Sequence, residues 1–240
     1  MATHGQPGAG EHADAKGAAP RPGALQRLGT RMYENRRLVI ASASLLVFLV
    51  LLRRVLAGEI LSFDHAAIAL MVGHVRSAWL TPVMVAVSAA VTAVPLIACI
   101  LVVGIAARRR GMRGIGVFCA VNLAGSTLLN QALKFAIQRP RPDVSLRLVD
   151  IGGFSFPSGH SMAAMAFFGL GIWLVRRYVA DPLVRRLLMA MLALMTVAVG
   201  FSRVYLGVHY ASDVLGGFCA SLIWLVVYTK VAGPLLPVRR

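Results

Sequence analysis

Six residues in the second half of the chain have side chains that can bind and transfer a phosphate-like anion. They are Lys134, Arg141, Arg203, His160, His209 and Asp213. Arginine presents a planar fork of donors that matches the oxygens of such an anion bidentately. His209 and Asp213 stand four residues apart, so they share one face of a helix. The carboxylate can hold the imidazole in one tautomer and leave its other nitrogen as a nucleophile.

The stretch Pro157-Ser158-Gly159-His160 precedes an apolar run and predicts a helix N-terminus. Free N–H groups and the helix dipole favour an anion there, and Gly159 allows close approach to the backbone. Taken alone, this stretch is also typical of an N-cap turn. A lone cation at a helix end is more often an interface anchor, and an i,i+4 pair can simply stabilise a helix. These separate interpretations do not explain why all the groups are expected on the same side of the membrane, as derived below.

The elements that must position these residues are membrane helices. Hydrophobic residues make up 58% of the 240 residues and charged residues only 14%, with a mean hydropathy of +0.74. A soluble domain has about 25% charged residues, so a water-soluble enzyme is disfavoured. Runs long enough to cross a bilayer predict six spans, at 38–57, 79–107, 114–133, 158–175, 187–201 and 211–229.

Two regions of the chain differ from a simple straight span. The segment 60–77 carries Asp64 but keeps its apolar positions largely on one helical face, which predicts an interfacial amphipathic helix. The long run 79–107 contains Pro82 and Pro95 and is expected to be one kinked or tilted helix. The expected fold class is an all-α integral membrane protein, a six-transmembrane-helix bundle with an interfacial amphipathic helix.

The formal charge of +16 orients this bundle. With both termini in the cytoplasm, 17 of the 25 Lys and Arg residues lie on the inner side, as the positive-inside rule requires. The N-in/C-in arrangement explains most of the basic excess, so a nucleic-acid partner is not expected. The expected organisation is a disordered basic cytoplasmic tail at 1–37, a membrane domain at 38–229 and a cytoplasmic C-terminal tail at 230–240. All the candidate site residues then lie at helix ends on the outer side.

Three motifs resemble the signatures of a known family. They are Lys134-x6-Arg141-Pro142, Pro157-Ser158-Gly159-His160 and Ser202-Arg203-x5-His209-x3-Asp213. Eleven specified positions match the type 2 phosphatidic acid phosphatase family in order and spacing, whereas any one motif alone would be weak. The resemblance implies an integral membrane enzyme that hydrolyses a lipid phosphate or pyrophosphate.

The resemblance also implies a role for each residue. His209 would attack phosphorus and form a phosphohistidine, Asp213 would orient it, and His160 would protonate the leaving oxygen. The phosphoryl oxygens would be held by Lys134, Arg141, Ser158, Gly159 and Arg203. Arg139 would be a cation outside this direct set. No cofactor and no metal are expected, because no acidic cluster is present to bind one.

The expected substrate is a lipid phosphate in the inner or plasma membrane, with the site facing the periplasm or exterior. Among such lipids undecaprenyl pyrophosphate is favoured, and phosphatidic acid and phosphatidylglycerophosphate are also possible. A lipid-to-lipid phosphotransferase would use the same residues and stays open. An anion or lipid transporter is disfavoured, because the charges lie at helix ends and no repeat is evident. Membrane lipids are the only other partners expected, and the sequence leaves the oligomeric state undecided.

Overall fold

The computed structural model describes Met1 and residues 35–237, so nearly all of the predicted tail at 1–37 lies outside the described residues. Every regular element in the described part is helical. The α-helices are α1 (Arg36–Leu56), α2 (Ser62–Leu70), α3 (Leu80–Ala89), α4 (Ala93–Arg109), α5 (Ile115–Ile137), α6 (Gly159–Tyr178), α7 (Pro182–Tyr205) and α8 (Ala211–Val231). A π-helical turn, Met71–Val75, continues α2, and short 3-10 turns occupy Val144–Leu146 and Gly233–Leu235.

The long helices are those of a membrane protein. Helices α1, α5, α7 and α8 are long and apolar enough to cross a bilayer, and α3 with α4 makes a fifth crossing if counted together. Large apolar side chains such as Leu46, Val117 and Leu194 are exposed on their outer faces, as expected for contact with lipid. The predicted all-α membrane class is confirmed. This count of four or five spans does not establish the predicted six spans or the predicted orientation.

The predicted single helix at 79–107 is instead two helices. Helices α3 and α4 meet at an angle of 57°, with the break at residues 90–92. Neither proline causes the bend, because Pro82 and Pro95 each lie in the first turn of their own helix. An N–H group in that turn has no carbonyl within the helix to donate to, so a proline there removes no hydrogen bond.

The predicted amphipathic segment at 60–77 is helical only over Ser62–Leu70 and the following π-turn. Met71 packs with Val204 and Tyr205 of α7 and with Val214 of α8. Asp64 is fully buried, although the segment was expected to keep its polar groups at the membrane surface. The Asp64 carboxylate can be buried because Arg139 and the first turn of α8 donate hydrogen bonds to it, as described below.

Helix α6 lies at the centre and packs against α5, α7 and α8. Buried polar side chains tie these helices together: Asn122 donates to the carbonyl of Ala166 at 2.8 Å, and Ser221 donates to that of Met162 at 3.0 Å. At the other end of α6, Tyr178 donates to the carbonyl of Pro237 at 2.9 Å. The described part of the predicted C-terminal tail therefore packs against the bundle.

Helices α4 and α5 approach closely at Gly104 and Gly116. A Cβ atom on Gly104 would lie 3.1 Å from the Cα of Gly116, so these backbones are in contact. A cavity of about 380 Å³ is lined by both glycines and extends from Ile100 to Arg113. A second, largely apolar cavity of about 640 Å³ shares Ile100 with it and extends to His160.

Candidate active site

Four helix ends converge at one end of the bundle. Lys134 lies in the last turn of α5, Gly159 and His160 begin α6, and Arg203 lies in the last turn of α7. His209 precedes α8, and Asp213 lies in the first turn of that helix. His160 experiences the charges of Arg203, His209, Lys134 and Arg141. The structure therefore brings the sequence-predicted residues together at one location.

His209 is 1% exposed, and both of its ring nitrogens have neighbours. Its Nδ1 lies 3.3 Å from the Oδ2 of Asp213, and its Nε2 lies 3.0 Å from the Nη1 of Arg141. A guanidinium can only donate hydrogen bonds, so Nε2 must accept, and the proton belongs on Nδ1. This assignment leaves Nε2 with the lone pair that a nucleophile needs.

The surroundings of His209 favour the neutral imidazole. Burial lowers the pKa of His209 to about 4, although the hydrogen bond and charge of Asp213 oppose this shift. The charges of Arg141 and Arg203 lower the pKa further. An imidazole with this pKa is uncharged at neutral pH and can act directly as a nucleophile.

Asp213 is fully buried, and both of its carboxylate oxygens accept hydrogen bonds. Its Oδ2 accepts the backbone N–H of Tyr210 at 2.9 Å and a short hydrogen bond from the hydroxyl of Ser155, which also lies 3.3 Å from the Nδ1 of His209. Its Oδ1 accepts from the Nη1 of Arg139 at 2.5 Å. Ser155 belongs to no motif and was missed, since nothing in the sequence pattern distinguishes it.

Arg139 contacts Asp213 rather than the space where a phosphate would lie. Its guanidinium also donates to the hydroxyl of Ser212 at 2.7 Å, pairs with Asp64 at 3.2 Å and lies 4.3 Å from the ring centre of Tyr210. Sequence reasoning put Arg139 outside the direct phosphate contacts but missed Asp64 and Ser212. An acidic residue in an otherwise apolar segment was the available signal for Asp64, because such residues are costly in membranes.

Arg203 is 2% exposed, and its hydrogen bonding is incomplete. One nitrogen, Nη1, makes a short hydrogen bond to the hydroxyl of Ser88. The Nε and Nη2 atoms are buried without a partner among the described residues. Arg203 lines a cavity of about 220 Å³ together with His160, Ser88 and Asp150. Two parallel unpaired donors beside a cavity are the arrangement that binds two oxygens of an anion.

The other two predicted cations are held by loop carbonyls. Lys134 donates to the carbonyl of Phe154 at 2.6 Å. Arg141 donates through Nε to the carbonyl of Gly153 at 3.0 Å and through Nη1 to that of Val208 at 2.9 Å. These contacts link the loop after α5 to the loop that carries His209. They position both cations before any ligand arrives.

The first turn of α6 completes the site. The Ser158 side chain accepts from the N–H of Ser161 and caps the helix, while its own N–H donates to the carbonyl of Asp213 at 3.0 Å. The Ser158 hydroxyl still has its own proton to donate, so its predicted role in phosphate binding stays a prediction. The N–H groups of Gly159 and His160 have no acceptor within the helix and remain suited to an anion.

Among residues 35–237, no group of three His, Cys, Asp or Glu side chains is arranged to hold a metal ion. The buried acidic side chains of Asp64 and Asp213 are committed to Arg139 and to helix α8, while Asp150 lines the small cavity beside Arg203 and His160. The site therefore offers fixed cations, helix N–H groups, a buried neutral histidine and a second histidine beside a cavity. These groups can stabilise the charge that develops during phosphoryl transfer.

The fold and site define a multi-pass membrane hydrolase that acts on phosphate esters. The chain belongs to the PAP2 superfamily, whose family model matches residues 116–235, half of the sequence. The resemblance in the motifs is therefore confirmed, and so is the expected class of enzyme. The protein is a membrane lipid phosphatase of the PAP2 type.

Relatives of known activity agree with this assignment. The chain is 34% identical to phosphatidylglycerophosphatase B of Bacillus subtilis over 179 residues, covering 74% of this chain and 87% of the relative. It is 34% identical to lipid A 1-phosphatase of Rhizobium etli over 132 residues, 48% of this chain and 51% of that protein. The crystal structure of a transmembrane PAP2-type phosphatidylglycerolphosphate phosphatase from Bacillus subtilis superposes with a TM-score of 0.71 and 29% identity, covering 83% of this chain and 98% of the other.

Proposed function

We propose that the protein hydrolyses a lipid phosphate or pyrophosphate at the outer face of the inner or plasma membrane, through a phosphohistidine on His209. The observation that carries this proposal is the pair of buried, unpartnered donors of Arg203 beside His160. A buried unpaired donor costs about 1–3 kcal/mol, so a site keeps one when a ligand is to satisfy it. A phosphoryl group bound there would satisfy both donors at once.

In the first step, the Nε2 of His209 forms a bond to the terminal phosphorus as the bond from that phosphorus to the leaving oxygen breaks. The leaving oxygen is that of the lipid alcohol in a monophosphate and the bridging oxygen in a pyrophosphate. His160 donates its proton to that leaving oxygen. The bound dianion offsets the nearby cations and favours the protonated form of His160. Asp213, through the Nδ1 proton, stabilises the positive charge that His209 acquires.

In the second step, His160 removes a proton from water, whose oxygen then bonds to phosphorus as the bond to His209 breaks. The products are inorganic phosphate and the lipid with one phosphate fewer, and both histidines return to their starting states. Throughout, Lys134, Arg141 and Arg203 balance the phosphoryl charge, assisted by the first turn of α6. We propose that these groups act without a metal ion or other cofactor.

We further propose six spans with both termini in the cytoplasm. The C-terminal ends of α5 and α7 and the N-terminal ends of α6 and α8 converge at the site. Helix α6 must then run to the opposite end of the bundle, and its 20 residues span about 30 Å, the thickness of the hydrocarbon core. Arginines at 108–110, 113, 176–177 and 185–186 would lie at that opposite end, which favours the cytoplasm.

Single-cysteine labelling tests this orientation in cells. Val144 is exposed in the loop after α5, near the site, and Ala180 is exposed between α6 and α7. With Cys99, Cys119 and Cys219 replaced, a membrane-impermeant maleimide should label Val144→Cys in intact cells. It should label Ala180→Cys only after the cells are opened. The reverse pattern would contradict the proposed orientation.

The substrate class follows from the cavity beside the site. The apolar cavity of about 640 Å³ reaches His160 and is lined by side chains such as Leu96, Ile97 and Leu123, which suit a lipid chain. Undecaprenyl pyrophosphate remains the favoured lipid. Phosphatidic acid and phosphatidylglycerophosphate stay candidates, the second favoured by the name of a relative, and lipid A phosphates join them because another relative bears that name.

Isotope trapping tests the mechanism. Each purified variant is mixed in detergent with lipid carrying ³²P in its terminal phosphate and quenched within milliseconds. Wild-type protein should show a transient acid-labile, base-stable label and release ³²P as inorganic phosphate, whereas His209→Ala should do neither. His65→Ala, outside the site, is the matched control and should behave like wild type. Phosphate release by His209→Ala would overturn the mechanism, and ³²P recovered in a second lipid would indicate transfer instead of hydrolysis.

A further inference from the structure

Asp64 is a fully buried carboxylate that lies outside every motif and outside the stretch matched by the family model. It belongs to α2, yet both of its oxygens are engaged far away in sequence. Its Oδ1 accepts the backbone N–H of Ser212 at 2.8 Å, and its Oδ2 accepts the hydroxyl of Ser212 at 2.6 Å. The same Oδ2 lies 3.2 Å from the Nη2 of Arg139. Asp64 therefore joins α2 to the first turn of α8.

Arg139 lies between two carboxylates. Its Nη2 faces Asp64 and its Nη1 faces Asp213, so one guanidinium balances both buried charges. A buried charge that loses its partner is strongly destabilised and reorients if it can. With Asp64 present, Arg139 is held from both sides, by Asp64 and Ser212 on one and by Asp213 on the other.

The chain of contacts continues to the proposed nucleophile. Arg139 binds the Oδ1 of Asp213, while the Oδ2 of the same carboxylate faces the Nδ1 of His209. Rotation of the Asp213 carboxylate would therefore change the direction in which the Nε2 of His209 points. In contrast, Asp64 has no hydrogen bond or ion pair with Lys134, Arg141 or Arg203.

We propose that Asp64 is a positioning residue for the phosphatase reaction, acting through Arg139 and Asp213 on His209. This inference rests on the proposed function, because it requires His209 to be the nucleophile. Asp64 sets the angle of attack and leaves phosphate binding to the other cations. Its loss should therefore lower kcat and leave KM nearly unchanged.

Asp64→Asn tests the inference, since it keeps the shape of the side chain and removes its charge. Asp181→Asn is the matched control: Asp181 also caps a helix, accepting from the N–H of Val184 at 2.8 Å, but at the opposite end of α7 from Arg203. Both variants are assayed in detergent for kcat, KM, thermal unfolding and the rate of phosphohistidine formation. For Asp64→Asn, we expect kcat and that rate to fall about 10- to 100-fold, with KM changed less than threefold.

Asp181→Asn should keep the wild-type kcat even if its unfolding temperature falls by as much as that of Asp64→Asn. A folded Asp64→Asn protein with wild-type kcat, or with a loss confined to KM, would overturn the inference. If Asp64→Asn does not fold, Asp64→Glu replaces it, because it keeps the charge but displaces the carboxylate by one methylene from Arg139 and Ser212. Wild-type kcat in that variant would equally overturn the inference. Activity in His209→Ala would instead refute the proposed function, so the two failures are distinguishable.

Discussion

Replacing Arg203 with methionine should abolish activity while leaving the protein about as stable as the wild type or more so. The two unpartnered donors of Arg203 each cost about 1–3 kcal/mol in the free protein, so together roughly 2–6 kcal/mol. The lost hydrogen bond to Ser88 offsets about 1.5–3 kcal/mol of this. Methionine fills similar space with a flexible apolar chain. The expected change in the free energy of unfolding lies between a loss of about 1 and a gain of about 4.5 kcal/mol, centred on a gain of about 2 kcal/mol.

Arg76→Met is the matched control, because the Nε and Nη2 of this arginine both donate to backbone carbonyls near the same end of α7. Its Nε donates to the carbonyl of Tyr205 at 3.0 Å and its Nη2 to that of Leu146 at 2.6 Å. Losing both bonds should cost roughly 3–6 kcal/mol. The changes in the free energy of unfolding expected for the two substitutions differ in sign. This difference distinguishes an arginine that binds a ligand from one that stabilises the fold.

Thermal unfolding in detergent, with and without orthovanadate as a phosphate analogue, measures both effects. A ligand present at 100 times its Kd stabilises the folded state by about 2.7 kcal/mol, which is expected for wild type and absent for Arg203→Met. The reasoning fails if Arg203→Met unfolds as readily as Arg76→Met. It fails equally if vanadate still stabilises Arg203→Met.

Three further outcomes are expected. Because burial lowers the pKa of His209 to about 4 in the free protein, the nucleophile is roughly nine-tenths neutral at pH 5, so kcat/KM, which reports the free enzyme, should fall only below about pH 5; a loss centred near pH 6.5 would contradict this environment. Gly217→Ala would place a Cβ atom 2.8 Å from the carbonyl oxygen of Ser158 and displace α6, so kcat should fall roughly 10- to 100-fold in a steady-state assay. Gly152→Ala is the control, because open space surrounds its Cβ, and it should have little effect in the same assay. EDTA should leave wild-type phosphate release largely intact, and an absolute requirement for added Mg²⁺ would refute the cation-only site.

The sequence predicts those parts of the site whose residues lie close together along the chain. His209 and Asp213 lie one helical turn apart, and Ser158-Gly159-His160 begins a helix, so both arrangements follow from short-range geometry. The spacing of the motifs then places the cations at neighbouring helix ends. Residues such as Arg203 are therefore predictable from the sequence alone.

Asp64 and Ser155 could not be placed in this way. Asp64 reaches Arg139 across 75 positions in the chain, and its burial depends on how α2 packs against α8. Ser155 reaches Asp213 across 58 positions from a loop without regular structure. Such long-range contacts depend on tertiary packing, which hydrophobic periodicity does not encode.

The bend at residues 90–92 was missed for a different reason. Hydropathy continues without interruption from 79 to 107, and the two prolines lie at positions where a helix tolerates them. The break instead falls at residues with no special composition. An uninterrupted apolar run predicts that a segment lies in the membrane, but it does not show whether that segment is one helix or two.

The contact of Gly104 with Gly116 fixes the spacing of α4 and α5 at one level of the bundle. Both glycines line the smaller cavity, and the larger cavity shares Ile100 and Ala120 with it and extends to His160. A side chain added at either glycine would push the two helices apart. The width of the space beside the reacting groups would therefore depend on two residues that do not line it.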